Sequence, residues 1–251
     1  MWTPPALASE ACAWSGDIWR VVESQSRVAT LKLVDTLDEQ AILEAELEGS
    51  KPLVPTSCAG LDPLLAAPFR YAPYPRGSRF RRARQIDGCF YGAERVETAV
   101  AEDAFYRLLF FLDAPAAKRP ANPQERTAFR VAAATTRAID LTLPPLNRDA
   151  GLWQHPTDYG PCQALADVAR VGGLQAIRHR SVRDPGNGAN LALLSPEAFR
   201  ATRPESWETW HVFLREVSAQ AVREMPRLRL EIPYSAWAAD PRVPIRAFDV
   251  E

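Results

Sequence analysis

Apolar positions along the 251-residue chain change period several times, and each change predicts an element. From about Asp17 to Gly49, Ile18, Val21, Val22, Leu33 and Leu37 recur near helical spacing, and Asp38 to Glu48 is built of strong helix formers. Gly49 supplies a stop, and Lys51-Pro52 prevents the helix from continuing. Before this region, residues 1–15 are rich in Pro, Ala and Trp and predict an irregular lead-in. After it, residues 50–78 carry six prolines with little periodicity and predict a loop-rich approach to the core.

Gly88 to Gly92 predicts a short buried strand. Val96 to Leu112 predicts a helix with Val96, Ala99, Val100, Phe105 and Leu108 near one face and Glu97 in its first turn. Residues 127–143 alternate toward strand, and Thr157 to Ala169 predicts a helix capped near Asp158 and closed by Gly172-Gly173. Two apolar segments, Ala176–Arg178 and Asn190–Leu194, flank the turn-rich Asp184-Pro185-Gly186-Asn187-Gly188. Trp207 to Glu224 predicts a last amphipathic helix, and Leu228 to Pro233 alternates like an edge strand. Strands cluster from residue 88 onward, so the class is α+β, with no internal repeat.

Composition adds bounds. Hydrophobic content of 47% with 24% charge is ordinary for a globular protein of this length. The net charge of −1 gives no global reason to expect nucleic acid or membrane as partner. Four well-separated cysteines form no CxxC pair, and His155, His179 and His211 have no metal-ligand spacing, so no metal is expected. No signal-peptide pattern opens the chain and no apolar run approaches the ~20 residues of a membrane span. The expectation is a soluble cytoplasmic protein with reduced thiols.

The chemistry concentrates between Phe69 and Arg107. Six arginines lie between residues 70 and 84. Guanidinium groups fork onto phosphates in a way lysine cannot reproduce, and prolines 68, 73 and 75 with Gly77 restrict the loop that carries Arg70 and Arg79. Arg81, Arg82 and Arg84 read as a solvated basic face. Tyr71 and Tyr91 each supply either a flat surface for an aromatic ligand or an ordinary packed tyrosine. Glu102 falls on the inward side of its helix, between Ala99 and Phe105, where a lone carboxylate needs a partner or a purpose. It is either the ion-pair partner of an arginine from 70–84 or a functional acid. Ser181 has no GxSxG around it and reads as a hydroxyl donor to a ribose or phosphate oxygen, or as a turn serine.

These segments, in order, resemble the RES family of toxins from bacterial toxin–antitoxin pairs. Phe69-Arg70-Tyr71 is similar to the family's first arginine–tyrosine pair, and Gly77-Ser78-Arg79-Phe80 to its glycine–arginine–aromatic motif. Phe90-Tyr91-Gly92-Ala93 followed by Glu97-Thr98-Ala99-Val100-Ala101-Glu102 resembles its tyrosine and ETAxAE segment. Arg180-Ser181-Val182-Arg183 and then Gly188-Ala189-Asn190-Leu191-Ala192-Leu193 resemble its serine motif and asparagine-bearing strand. The likeness spans roughly residues 64–232.

The resemblance implies an ADP-ribosyltransferase-like core of small packed β-sheets with surrounding helices. A partly helical N-terminal extension would occupy residues 1–60 and the RES domain residues 61–251. That extension would pack on the core, mediate dimerisation or contact an antitoxin. The implied substrate is NAD, cleaved at the nicotinamide–ribose bond by phosphorolysis or hydrolysis, or used to ADP-ribosylate a protein. Implied catalytic residues are Glu102, Arg79 and Ser181, and implied NAD contacts are Arg70, Tyr71, Arg79, Tyr91, Ser181 and Asn190. The implied partner is an antitoxin carrying a helix-turn-helix domain, with room for a homodimer within the complex and without direct nucleic-acid binding. A non-catalytic nucleotide- or nucleic-acid-binding module and a degenerate scaffold are the competing readings.

Overall fold

The structure is a computed structural model, and it describes residues 2–24, 33–71, 73–114, 116–117 and 119–244. Six helices are present among them: α1 (Pro4–Ala8), α2 (Leu37–Gly49), α3 (Pro63–Arg70), α4 (Val96–Asp113), α5 (Ala150–Trp153) and α6 (Gly160–Val171). Eight strands form one sheet: β1 (Cys12–Glu23), β2 (Phe90–Ala93), β3 (Gln124–Asp140), β4 (Ala176–Arg180), β5 (Ala189–Leu193), β6 (Ser206–Leu214), β7 (Ser218–Arg223) and β8 (Leu228–Pro233). The fold is α+β.

Strand order is β1-β2-β5-β4-β3-β6-β7-β8, and β1 also pairs along the length of β3. Strands β1, β2, β5, β4 and β3 therefore close a ring, from which β6–β8 extend as an antiparallel flap along the first half of β3. Closure removes the free edges that an open sheet would present. All five ring strands contribute to one core cluster, through Ile18, Phe90, Phe129, Ala176 and Leu191, with Leu65 and Phe69 of α3 packed against them. A second cluster joins Leu7 of α1 and Leu165 of α6 to Phe80, Ile177 and Ala192. The third seats Val100, Phe105 and Leu108 of α4 against Trp210, Ala221 and Trp237.

One predicted helix, and the start of another, are strands. Residues 12–23, which run from the lead-in into the stretch read as helical from Asp17, form β1, because Ile18 is shared by the ring core and Trp19 pairs with Ala93 while the backbone is bonded to β3. The middle of that stretch, residues 25–32, lies outside the described residues. Its last part is helical as read: α2 starts on a capping box, with Thr36 Oγ1 accepting from the Glu39 amide and the Glu39 carboxylate accepting from the Thr36 amide. Trp207–Glu224 is not a helix but the β6–β7 hairpin, in which Trp210, Val212 and Leu214 alternate inward. Helix α3 stands where only loop was predicted, and α1 where the lead-in was. Strands β2, β3, β4, β5 and β8 and helices α4 and α6 match the periodicity. Among the described residues no helix is long and apolar enough to cross a membrane.

Candidate functional site

Helix α4 places Thr98, Glu102 and Tyr106 on one face, four residues apart. Thr98 anchors the turn that brings β4 and β5 to this face. Its hydroxyl donates to Asp184 Oδ2 at 2.7 Å, and the same carboxylate group accepts from the amides of Gly186 at 2.7 Å and Gly188 at 3.0 Å and from Arg95 Nη2 at 3.0 Å. Burial would raise the Asp184 pKa, but these donors outweigh it and hold the carboxylate below its ordinary value. The approach is close enough that a Cβ at residue 188 would sit 2.0 Å from Thr98 Oγ1, so only glycine fits there.

One helical turn further, Ser181 Oγ donates to Glu102 Oε1 at 2.6 Å and Asn190 Nδ2 donates to the same oxygen at 2.7 Å. Ser181 also accepts from the amides of Arg183 and Asp184 at 3.1 Å each, so its proton is directed at the carboxylate. Glu102 is thus held by two neutral donors, and not by an arginine from 70–84. Asn190 pairs across the ladder with His179. The His179 ring packs edge-on to Phe80 at 4.8 Å. Burial, reinforced by Arg79, pulls its pKa down to about 3, so it is neutral.

Below Glu102 the Tyr106 hydroxyl donates to Tyr159. The Tyr106 ring is half exposed, but withdrawal of its hydroxyl from water, with Tyr159 and Glu102 nearby, raises its pKa. Tyr159 shifts the other way: burial opposes ionisation, yet the Tyr106 bond and the charges of Arg183 and Arg79 prevail. Arg183 is buried, stacked 3.7 Å over Phe105, paired with Asp240 at 3.0 Å and bonded to the Pro156 carbonyl at 2.5 Å. Arg79 lies 4.7 Å over the Tyr159 ring, and its Nη1 donates to the carbonyls of Trp153 at 2.7 Å and His155 at 3.0 Å. No hydrogen bond to its Nη2 or Nε is found among the described residues.

The other expected contacts fall elsewhere. Tyr91 is a packed residue: its hydroxyl accepts from the Phe80 amide at 2.9 Å and bonds Ser78 Oγ at 2.8 Å, which fixes the loop presenting Arg79. Arg70 donates to Glu48 at 2.7 Å and to the Pro52 carbonyl at 2.5 Å, so its hydrogen bonds run toward α2 and not toward Arg79 or Glu102. Tyr71 ends α3 and is exposed beside Arg70. In the basic stretch, Arg81 is buried and bonded to the Gln85 carbonyl, which corrects its reading as a solvated charge. Arg82 does lie on the surface, against Asp167.

Sequence reasoning passed over His179, Tyr106, Tyr159 and Arg183. The i+4 step from Glu102 to Tyr106 was the one signal in the sequence that pointed to them. A separate surface cavity of about 240 Å³ is lined by Arg95, Arg178, Arg180 and the 186–189 turn, but Arg95 and Arg178 are already paired with Asp184, Glu94 and Asp140. Among the described residues no group of three or more His, Cys, Asp or Glu could hold a metal ion.

A family model described as the RES domain matches residues 55–215, more than half of the chain. No curated protein matches significantly. Among solved structures, a chain from the crystal structure of the M. tuberculosis MbcT–MbcA toxin–antitoxin complex is similar over 81% of this chain and 89% of its own, at 14% identity and a TM-score of 0.48.

Proposed function

The chain belongs to the RES domain family, and from that premise we propose that it is a toxin that cleaves NAD at the nicotinamide–ribose bond and is held in check by a protein antitoxin. The observation that carries this reading is the state of Glu102: a half-buried carboxylate on a rigid helix, oriented by Ser181 and Asn190 and neutralised by no arginine among the described residues. Such a group places a carboxylate where a positive centre forms during reaction.

Departure of nicotinamide leaves oxocarbenium character on the ribose, as in glycoside cleavage. Glu102 stabilises that charge and accepts from the ribose hydroxyls. Ser181 and Asn190 hold its orientation and lie within reach of the same sugar. Arg79, whose Nη2 and Nε have no hydrogen-bond partner among the described residues, forks onto the diphosphate. Tyr91 acts through the Arg79 loop instead of stacking on substrate. Arg70 and Tyr71 stay outside this assignment, because Glu48 and Pro52 already engage the guanidinium.

The test is incubation of the purified protein with NAD, with and without inorganic phosphate, followed by chromatography of nicotinamide and the ADP-ribose product. Release of nicotinamide that Glu102→Gln abolishes supports the reading. Dependence on phosphate identifies phosphorolysis, and independence identifies hydrolysis. NAD left intact under both conditions, with the protein folded, removes NAD cleavage from consideration and leaves transfer to a protein acceptor to be assayed.

A further inference from the structure

We propose that His179 Nε2 and Asn190 Oδ1 form a pair of hydrogen-bond acceptors that receives N–H or O–H donors of the substrate, making His179 a binding and specificity residue of the Glu102 site. This rests on the reading of that site as an NAD site.

The two residues are direct partners across the β4–β5 ladder, so their side chains leave the sheet on one face about 5 Å apart. Each has its polarity fixed by a neighbour that can only accept. His179 Nδ1 stands 3.1 Å from the Arg180 carbonyl, so the ring proton sits on Nδ1 and Nε2 presents a lone pair. Asn190 Nδ2 faces the Glu102 carboxylate at 2.7 Å, so the amide cannot be turned over and Oδ1 points away from Glu102.

Neither Nε2 nor Oδ1 has a hydrogen-bond partner among the described residues, although His179 is only 5% and Asn190 only 7% exposed. Buried acceptors without donors are rare because each costs its full desolvation. Most other buried unpartnered atoms, such as Arg20 Nη1, Arg81 Nε and Arg170 Nε, are donors and not acceptors. The Phe80 contact keeps the imidazole from turning aside, and burial keeps it neutral, so the lone pair is retained across the working pH range.

Two adjacent acceptors next to a carboxylate oxygen match a ligand group that can turn at least two donors toward that edge. NAD carries two such groups near the scissile bond: the carboxamide NH2 of nicotinamide and the vicinal hydroxyls of its ribose. A carboxylate in place of the carboxamide, or a ribose lacking the 2′-hydroxyl, would leave an acceptor unpaired and be rejected.

The experiment uses the full chain labelled with 15N-histidine. Long-range 1H–15N spectra should show His179 as the Nδ1–H tautomer, with Nε2 unbonded in the free protein and shifted upfield when NAD is added. In parallel, binding and turnover of NAD, its nicotinic acid analogue and its 2′-deoxyribose analogue are measured for wild type, His179→Phe and His179→Gln. Wild type should favour NAD over one analogue by about tenfold to a hundredfold, which identifies the carboxamide or the ribose as the donor. His179→Phe should erase that preference, and His179→Gln, which keeps an acceptor oxygen, should restore part of it. Preference unchanged in His179→Phe overturns the proposal while leaving the NAD reading intact. So does an Nε2 signal already bonded in the free protein and unmoved by NAD, the signature of an ordered water only. Absence of NAD binding by wild type overturns the parent reading and this inference together. The wild-type spectra decide the matter even if His179→Phe does not fold.

Discussion

Glu102 shows how far a single residue can be read from sequence. Its placement between Ala99 and Phe105 on a periodic helix was enough to mark an inward carboxylate, and the structure supplies Ser181 and Asn190 as its donors. Its relation to the basic stretch was not legible, because which arginine faces which carboxylate depends on contacts remote in sequence. Removing the charge while keeping the shape should separate chemistry from packing. Glu102→Gln is expected to lower NAD turnover by a factor of about 100 or more, with a melting temperature near that of wild type. Undiminished turnover in the folded variant would dispose of its role. His179 carries a second expectation at this scale. Its folded pKa of about 3 lies below the unfolded value, so between about pH 6.5 and 3 the unfolded chain binds a proton that the folded one refuses. Stability should therefore fall on acidification through that window, by on the order of 1 kcal/mol per pH unit. Urea denaturation at pH 7 and pH 5 checks this, and the slope attributable to this group should vanish in His179→Phe.

At the scale of elements, the periodic signals succeeded where a helix or strand keeps one clean face and failed where tertiary context overrides spacing. Ile18, Val21 and Val22 fall at helical intervals, yet a strand bonded to β3 along its length and touching β2 has no simple inward–outward alternation to display. The β6–β7 hairpin was missed for another reason: its turn, Arg215-Glu216-Val217, holds neither glycine nor proline, so nothing in the sequence marks the reversal. The turn from Asp184 to Gly188 was legible as a turn, but its clasp on Thr98 was not. Gly188→Ala would drive a methyl into Thr98 Oγ1 and Asp184 Oδ2. That substitution should cost about 1–3 kcal/mol and should also depress turnover, because the same turn delivers Ser181 to Glu102. A stability and a turnover both equal to wild type would show that the clasp does not position the site. Tyr91→Phe tests the loop on the other side. Losing the hydroxyl that meets the Phe80 amide and Ser78 should cost about 1–2 kcal/mol and raise KM more than it lowers kcat, since Arg79 is carried by that loop. A change confined to kcat would instead place Tyr91 in contact with substrate.

For the whole molecule, the segment that matches the RES domain, residues 55–215, omits pieces that the structure builds into its centre. Strand β1, from the N-terminal side, closes the ring through both β2 and β3 and contributes Ile18 to its core. From the C-terminal side, Trp237 donates to the Arg183 carbonyl at 2.7 Å, and Asp240 is the fully buried counterion of Arg183 two residues from Ser181. Residue-by-residue motifs could not reveal this, because the closing strand and the counterion carry no motif of their own. The division at residue 60 leads to a decisive comparison. A chain starting at residue 61 would expose the edge of β3 and open the ring core to water, and should be insoluble or lack a cooperative unfolding transition. Asp240→Ala should keep the ring but strand a buried guanidinium, at a cost of about 3–5 kcal/mol. If instead residues 61–251 unfold cooperatively with near-native stability and turn over NAD, β1 is an accessory strand, and the site depends only on α4 and the β4–β5 turn.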